Sequence, residues 1–444
     1  MTDLTRIGAL GALRSRWSLV IVIFVPLLGA LLSLVYLGGA LAPAENTRDL
    51  PIAVVNEDRA TGTAPDTPTA AEQVAGGVTG IPALRAKVSW YTLGRAEAER
   101  RMERGGISAT VVVPRGFSRS VGELAAAAAR PGAVVKAWPS VQILTNPRAG
   151  SMESALGQSL ATQSVAALSA QLGSQLADEV TAAAHEPLGP TARALLKDPV
   201  RTEATAFRPV EEHSGLGLGP FYYAIVLIMA GFLGANVVNS ILDTSLGYQP
   251  SEFGPVRKVT PQAPISRTQT LLAKMTATAA SGAVAGTAAL LVARYVLDMD
   301  TPHLPQLWLF SVCTVAVIGV SVQVLYAALG PSFGILASSF FFIIMGLPTS
   351  GGAISLHAVP DAYRAVAEFI PMRHVTDGVR AIVFYDAIGA AGLARAWLML
   401  AVGLAVALAV GFAITSYYDR AGFRRSFPPK PDPENAAGSA PVSA

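Results

Sequence analysis

Apolar runs long enough to cross a bilayer alternate with polar stretches along this chain in a one-then-five arrangement. A helix needs about 20 mostly apolar residues to span the hydrocarbon core. The first such run, 18–41, contains no charge. The second, 220–242, follows a long polar interval, and the third, 275–293, is rich in Ala, Gly, Ser and Thr between Lys274 and Arg294. From His303 to His357 there is no Asp, Glu, Lys or Arg. That stretch is too long for one span, and the turn signal Gly330-Pro331 divides it into 307–329 and 332–347. The last run is 396–418. The pattern predicts an α-helical polytopic membrane protein with six transmembrane helices, one plus five. The first run reads as an uncleaved anchor, because its apolar core exceeds the ~7–15 residues of a signal peptide.

Within the polar interval 45–215 the periodicity changes. Ile52–Asn56 (residues 52–56), 88–91 and the β-branched 107–113 read as strands, with a further strand inside 134–144. A charged helix is predicted over 95–104 and another over 118–129. Strand–helix alternation of this kind predicts an α/β domain between the first and second spans. The Ala/Ser/Gln/Leu-rich 151–184 reads as one or two stalk helices, and 61–69 and 187–209 read as loops or linkers.

Composition agrees with a membrane chain. Of 444 residues, 14% are charged and 52% are hydrophobic, against about 25% charged in a soluble domain, and mean hydropathy is +0.45. Nothing in this composition suggests a nucleic-acid partner. The net charge of +3 matters less than its distribution. Basic residues accumulate in 1–17, in the loop 243–274 and in the tail 419–444, which together hold 11 basic and 6 acidic residues. The interval 45–215 holds 17 basic and 18 acidic. The positive-inside bias therefore places both termini and the 243–274 loop in the cytoplasm, and the α/β domain and 348–395 outside. The Ala/Gly/Pro/Arg-rich composition suggests a high-GC bacterium, hence its plasma membrane. The single cysteine, Cys313, allows no intramolecular disulfide.

The segments PIAVVNEDRA after the first span and ISATVVVPRGFSRSV some fifty residues later, with IPMRHVTDGVRAIVFYD before the last span, resemble one superfamily. It comprises type 2 ATP-binding-cassette exporter permeases with a large external domain, including the YhgE/Pip (phage-infection-protein) and nitrosoguanidine-resistance-like membrane families. The resemblance implies an efflux permease for an amphipathic or lipidic compound or drug, working as a homodimer or heterodimer with a separate cytoplasmic ATPase. The alternative within the same resemblance is a non-transporting envelope receptor or scaffold. The chain contains no G-x-x-x-x-G-K-[ST], so it carries no nucleotide-binding loop of that type, and no hydrolase or metalloprotease motif. No enzymatic activity and no cofactor are expected.

Candidate residues follow from polar groups in apolar surroundings. Asn236, Asn239 and Asp243 share one helical face in the second span. Amides in hydrocarbon need partners, so this face serves either packing or a translocation path, and Gln323 carries the same two readings. Ala277, Ser281, Ala285 and Ala289, with Gly282 and Gly286 beside them, form a small-residue stripe suited to close helix packing. Arg257, Lys258 and Arg267 in the cytoplasmic loop suit contact with the ATPase or with anionic membrane lipid, and the prolines of that loop exclude a long helix. In 348–395, Pro371, Arg373, His374, Asp377 and Arg380 mark either a re-entrant hairpin or an amphipathic surface helix. Pro371 should break the segment, Asp377 should pair with Arg380, and Arg395 should reach the interface freely. The five histidines show no metal-ligand spacing, so no metal is expected.

Overall fold

The long apolar runs are largely helical in the computed structural model, which describes residues 16–58, 69–130, 135, 137–184, 187–253 and 255–423. Helix α1 (Arg16–Ala40) comes first. An α/β segment follows, made of β1 (Leu50–Asn56), α2 (Ala70–Gly80), β2 (Val88–Thr92), α3 (Arg95–Met102), β3 (Ala109–Val113), α4 (Phe117–Ala128), β4 (Ser140–Thr145), α5 (Ser151–Ala184), α6 (Pro190–Lys197) and β5 (Arg201–Ala206). Beyond it lie α7 (Gly219–Ser245), a small hairpin of β6 (Ser251–Phe253) and β7 (Val256–Lys258), α8 (Arg267–Tyr295) and α9 (Leu304–Ser339). The chain continues with α10 (Asp361–Ala367), α11 (Pro371–Phe384) and α12 (Leu393–Arg420). Among the described residues, four stretches, Gly219–Ser245, Arg267–Tyr295, Leu304–Ile344 and Leu393–Arg420, are long and apolar enough to cross a membrane.

The chain forms two compact units. One holds the described residues up to 225 together with 291–310 and 341–397; the other holds 226–290, 311–340 and the described residues from 398 onward.

In the first unit a five-stranded sheet runs in the order β2-β1-β3-β4-β5, with β3 and β4 antiparallel and the other pairs parallel. Helices cover both faces of its centre, so β1 and β3 read as unbroken apolar runs rather than alternating ones. Leu50, Ile52, Val54, Val111 and Val113 face the larger core under α2, α4, α5 and α6. Ala53, Val55 and Val112 face a smaller one under α3, with Met102 and Ile107. Asp58, just beyond β1, accepts hydrogen bonds from the amides of Gly116 (2.8 Å) and Ser118 (2.9 Å) and so tethers β1 to the start of α4. Burial pushes the Asp58 carboxyl up, but the Ser118 and Gly116 hydrogen bonds outweigh it and hold it below the usual range.

The interval 187–209 is not a plain linker: it holds α6 and the edge strand β5. Pro190 sits at the start of α6, where its missing amide proton is not needed. Residues 61–68 of the other expected linker lie outside the described residues, and Thr69 caps α2 through the amide of Glu72. The α2 helix itself was not foreseen. The stretch 151–184 is one helix, α5.

In the second unit, helix α8 begins at Arg267, well before the expected 275. Its first turn is capped from α12: the Asp419 carboxylate accepts from the Arg267 amide at 2.8 Å and the Thr268 amide at 3.0 Å. Close packing of α8 rests on Thr278, Gly282 and Gly286, whereas Ser281 of the expected stripe is exposed. A β-carbon on Gly286 would lie 3.0 Å from backbone atoms of Ser311 and Val312 in α9, so the helix backbones nearly touch there.

Helix α9 covers both 307–329 and much of 332–347, but it is interrupted where the turn signal stands. Gly330 adopts φ 78° and ψ 169°, a conformation that a β-carbon disfavours, and Pro331 follows it. The chain doubles back at this point. A β-carbon on Gly334 would lie 2.9 Å from the Cα of Tyr326, whereas eight residues of straight helix would separate the two by about 12 Å. After α9 the chain passes through a wide turn of helix at Phe340–Ile344.

Candidate functional site

Two polar clusters are built from the residues that sequence reasoning singled out, one in each unit. In the second unit, Asn239 and Asp243 lie one turn apart on α7 and face Lys274 of α8. The Lys274 ammonium donates to Asn239 Oδ1 and to Asp243 Oδ1, each at 2.6 Å. All three side chains are buried. One turn earlier, Asn236 donates to the Phe232 carbonyl at 2.7 Å and accepts a short hydrogen bond from the Tyr326 hydroxyl. Gln323, wholly buried on α9, donates to the Ala235 carbonyl and to Thr278 Oγ1, both at 2.9 Å.

Every polar residue on the α7 face therefore meets a partner within this unit. Lys274, read from the sequence only as the flank of a span, supplies the positive charge that makes Asp243 tolerable at 0% exposure. Beside this network lies a cavity of about 230 Å³ walled by Arg267, Thr270, Lys274, Gln323, Tyr326 and Thr415.

The cytoplasmic-loop candidates divide. Arg257 and Lys258 stand exposed on the β6–β7 hairpin, with Arg257 Nε 3.4 Å from Glu252 Oε1. Arg267 is instead tied to the end of α12, donating to the Phe423 carbonyl and stacking its guanidinium 5.1 Å from the Tyr418 ring centre.

In the first unit, the candidates of 348–395 gather on α10 and α11. The two helices meet at Ile370-Pro371, and Pro371 occupies the first turn of α11, where proline is tolerated. Arg373 binds Glu368 in a short ion pair and lies 3.9 Å from Asp377 Oδ2. Arg380 Nη1 lies 3.6 Å from Asp377 Oδ1, and Arg380 Nη2 donates to the Gly351 carbonyl at 3.0 Å.

His374 is buried, its Nε2 2.9 Å from the Glu368 carbonyl oxygen. Burial pushes the imidazole below its ordinary value, more than the Glu368 carbonyl and Asp377 raise it. Burial raises the Asp377 carboxyl above its usual range despite Arg380 and Arg373. For Glu368 burial is the largest single influence and pushes the carboxyl up, but Arg373 and Arg395 together outweigh it and hold it low. Arg395 thus does not reach outward unpaired, as its position suggested: it forms an ion pair with Glu368.

Glu368, Arg373, Asp377, Arg380 and Tyr385 line one wall of a cleft of about 600 Å³. The opposite wall comes from the α/β segment, including Gly105 and Glu153. Glu153, at the start of α5, accepts from Ser108 at 2.7 Å and from Ser355 at 3.0 Å, fastening 348–395 to the sheet. Arg148 donates to the Phe384 carbonyl at 3.0 Å. Glu153, Arg148 and Lys274 carry no motif, and only the three-dimensional contacts disclose them. Among the described residues, no group of three His, Cys, Asp or Glu side chains converges as a metal site.

Residues 16–413 match the family described as ABC-2 family transporter protein. The chain belongs to that family, and is a membrane permease of the kind that works with an ATPase subunit. Among solved structures, a domain of a proposed ABC type-2 transporter from Thermotoga maritima MSB8 is similar at 20% identity over 35% of this chain and 85% of that one, with a TM-score of 0.23. No curated protein matches the chain.

Proposed function

We propose that this chain is the permease subunit of an exporter that moves an amphipathic or lipidic envelope compound or drug out across a bacterial plasma membrane. The ATPase is a separate cytoplasmic polypeptide, and two permease chains make one pathway. In this reading α1, α7, α8, the two arms of α9 and α12 are the six spans, both termini are cytoplasmic, and the sheet lies outside with 348–395. The observation that carries it is the extent of the family match, which takes in the long apolar helices and the α/β segment together. The bend at Gly330 supports an even number of crossings, since it turns one overlong apolar helix into two arms. The exposed β6–β7 hairpin, with Arg257 and Lys258, is the surface proposed for the ATPase.

Purification in mild detergent tests the partner: an ATPase should accompany the chain, and substituting Arg257 and Lys258 with Glu should release it. Recovery of the permease free of any ATPase would favour the receptor reading. On a Cys313→Ser background, Thr202→Cys should react with an impermeant thiol reagent in intact cells and Lys258→Cys should not. Labelling of both would overturn the topology.

A further inference from the structure

The cleft between α11 and the sheet segment has a lopsided supply of hydrogen-bonding groups. Four arginines and four carboxylates line it, so it is formally neutral. Three of the carboxylates are already engaged: Glu153 by two serines, Glu368 by Arg373 and Arg395, and Asp377 by Arg373 and Arg380. The fourth, Asp49, is exposed to water. Among the residues lining the cleft, the buried polar atoms that lack a hydrogen-bond partner are the Tyr385 hydroxyl, Arg380 Nε and Arg373 Nε, the last only in a longer 3.9 Å ion pair with Asp377.

All three are donors. Tyr385 is 3% exposed, and its hydroxyl lies against Gly105 on the opposite wall, 3.0 Å from where a β-carbon would stand. Leaving buried donors unmade is expensive, and guanidinium donors favour oxyanions above other acceptors. Phe369, next to the cleft-lining Glu368 in the chain at the break between α10 and α11, is 74% exposed.

We propose that this cleft is a binding site for a phosphate head group, with Tyr385, Arg380 and Arg373 donating to its oxygens. Asp377 lies between Arg373 and Arg380, 3.9 and 3.6 Å from them, so the two guanidiniums share one carboxylate and keep further donors for a ligand. The exposed Phe369 favours a phosphate carried by an acyl chain over the free anion. The site does not rest on the export reading, since binding is measured without an ATPase and without transport.

The test uses the full chain purified in a neutral detergent, with inorganic phosphate and lysophosphatidic acid as probes, measured by equilibrium dialysis and by native mass spectrometry. Tyr385→Phe removes only a hydroxyl that has no partner in the protein, so the melting temperature should hold or rise slightly. Binding should nevertheless weaken about tenfold, the usual scale for one lost hydrogen bond to a charged group. Arg380→Lys, which keeps the charge and loses the Nε donor, should weaken it comparably. Retention of lysophosphatidic acid with displacement by millimolar phosphate identifies a head-group site serving a lipid. Binding of phosphate with no uptake of the lysolipid identifies a free-anion site, which keeps the donor assignment. Binding of neither probe, or equal affinity of Tyr385→Phe and the unaltered protein, overturns the proposal.

Discussion

In the unit built on α7, α8 and most of α9, Lys274, Asp243 and Asn239 close on one another, with both charges removed from water. In the unit that holds the sheet and α11, the arginines share carboxylates, line an open cleft, and leave donors unmade. A charge inside an apolar helix bundle has no solvent to fall back on, so the first arrangement stands or falls as a set. Beside a cleft, solvent or a ligand relieves what the protein leaves undone. The first cluster has its charges matched within the unit, and the second is the one for which a ligand is proposed.

The largest expected effect is on the buried pair. Lys274→Met leaves the Asp243 charge stranded and should destabilise the protein by about 3–5 kcal/mol, read as lost folded yield or a lower melting temperature in detergent. Lys274→Met combined with Asp243→Leu should recover most of that loss, because a matched apolar pair is often no worse than a buried ion pair. A double variant as unstable as the single one would break the contrast between the two clusters.

Next in size is the close approach of α8 and α9. Gly286→Ala places a methyl 3.0 Å from the Ser311 and Val312 backbone and should cost about 1–3 kcal/mol through overpacking. Gly76→Ala, at a position with nothing within 4 Å, should be neutral or slightly stabilising, and the pair of melting curves checks this.

In the cleft, Arg380→Ala should exceed Arg395→Ala. The Arg380 side chain is 11% exposed and holds the Gly351 carbonyl, so about 2 kcal/mol is at stake. Arg395 is 49% exposed, where an ion pair contributes about 1 kcal/mol or less. Equal melting temperatures for the two variants would make the α11 cluster an ordinary exposed surface.

The smallest effect is on pH. His374 is held below its ordinary 6.5, so its contribution to stability is fully present above that value and is lost as pH falls toward the folded-state value. Asp377 works in the opposite sense: raised from 3.8, its contribution is full below that value and lost as pH rises through the folded-state value. Glu368 follows the depressed-carboxylate pattern, losing its contribution as pH falls below about 4.5. The difference in melting temperature between the unaltered protein and His374→Gln isolates the histidine, and it should shift against the unaltered protein between pH 7.5 and 5.5. A difference independent of pH would remove His374 from the account.

The legible parts of this chain are those in which one local pattern decides the outcome. The apolar run of β1, the β-branched β3 and the Gly330-Pro331 turn are all visible because burial on both faces, or a forbidden helix conformation, leaves its mark on consecutive residues. Strand β5, Arg201–Ala206, is exposed along its whole length, so its residues alternate nothing, and only its ladder with β4 makes it a strand. The α6 helix hid among prolines, one of which, Pro190, in fact starts it. Lys274 was missed for a sharper reason: a hydropathy window ends a span at the first charge. The charge itself is accommodated by Asn239 and Asp243, thirty-odd positions earlier in the chain. Arg148 and Glu153 join segments over two hundred positions apart, a relation that no window along the chain contains.

The bend in α9 leaves arms of unequal length. From Pro331 to Ile344 the chain rises about 21 Å at 1.5 Å per residue, short of the roughly 30 Å of hydrocarbon in an average bilayer. A few residues on, Thr349 and Ser350 are wholly buried and turn inward for their hydrogen bonds: Thr349 to the Met345 carbonyl at 2.6 Å and Ser350 to the Leu347 carbonyl at 2.8 Å. If the proposed topology makes this arm a span, it meets hydrophobic mismatch, which lipids relieve by thinning around it. A preferred acyl-chain length is then expected, with higher stability on reconstitution in short-chain lipid than in long.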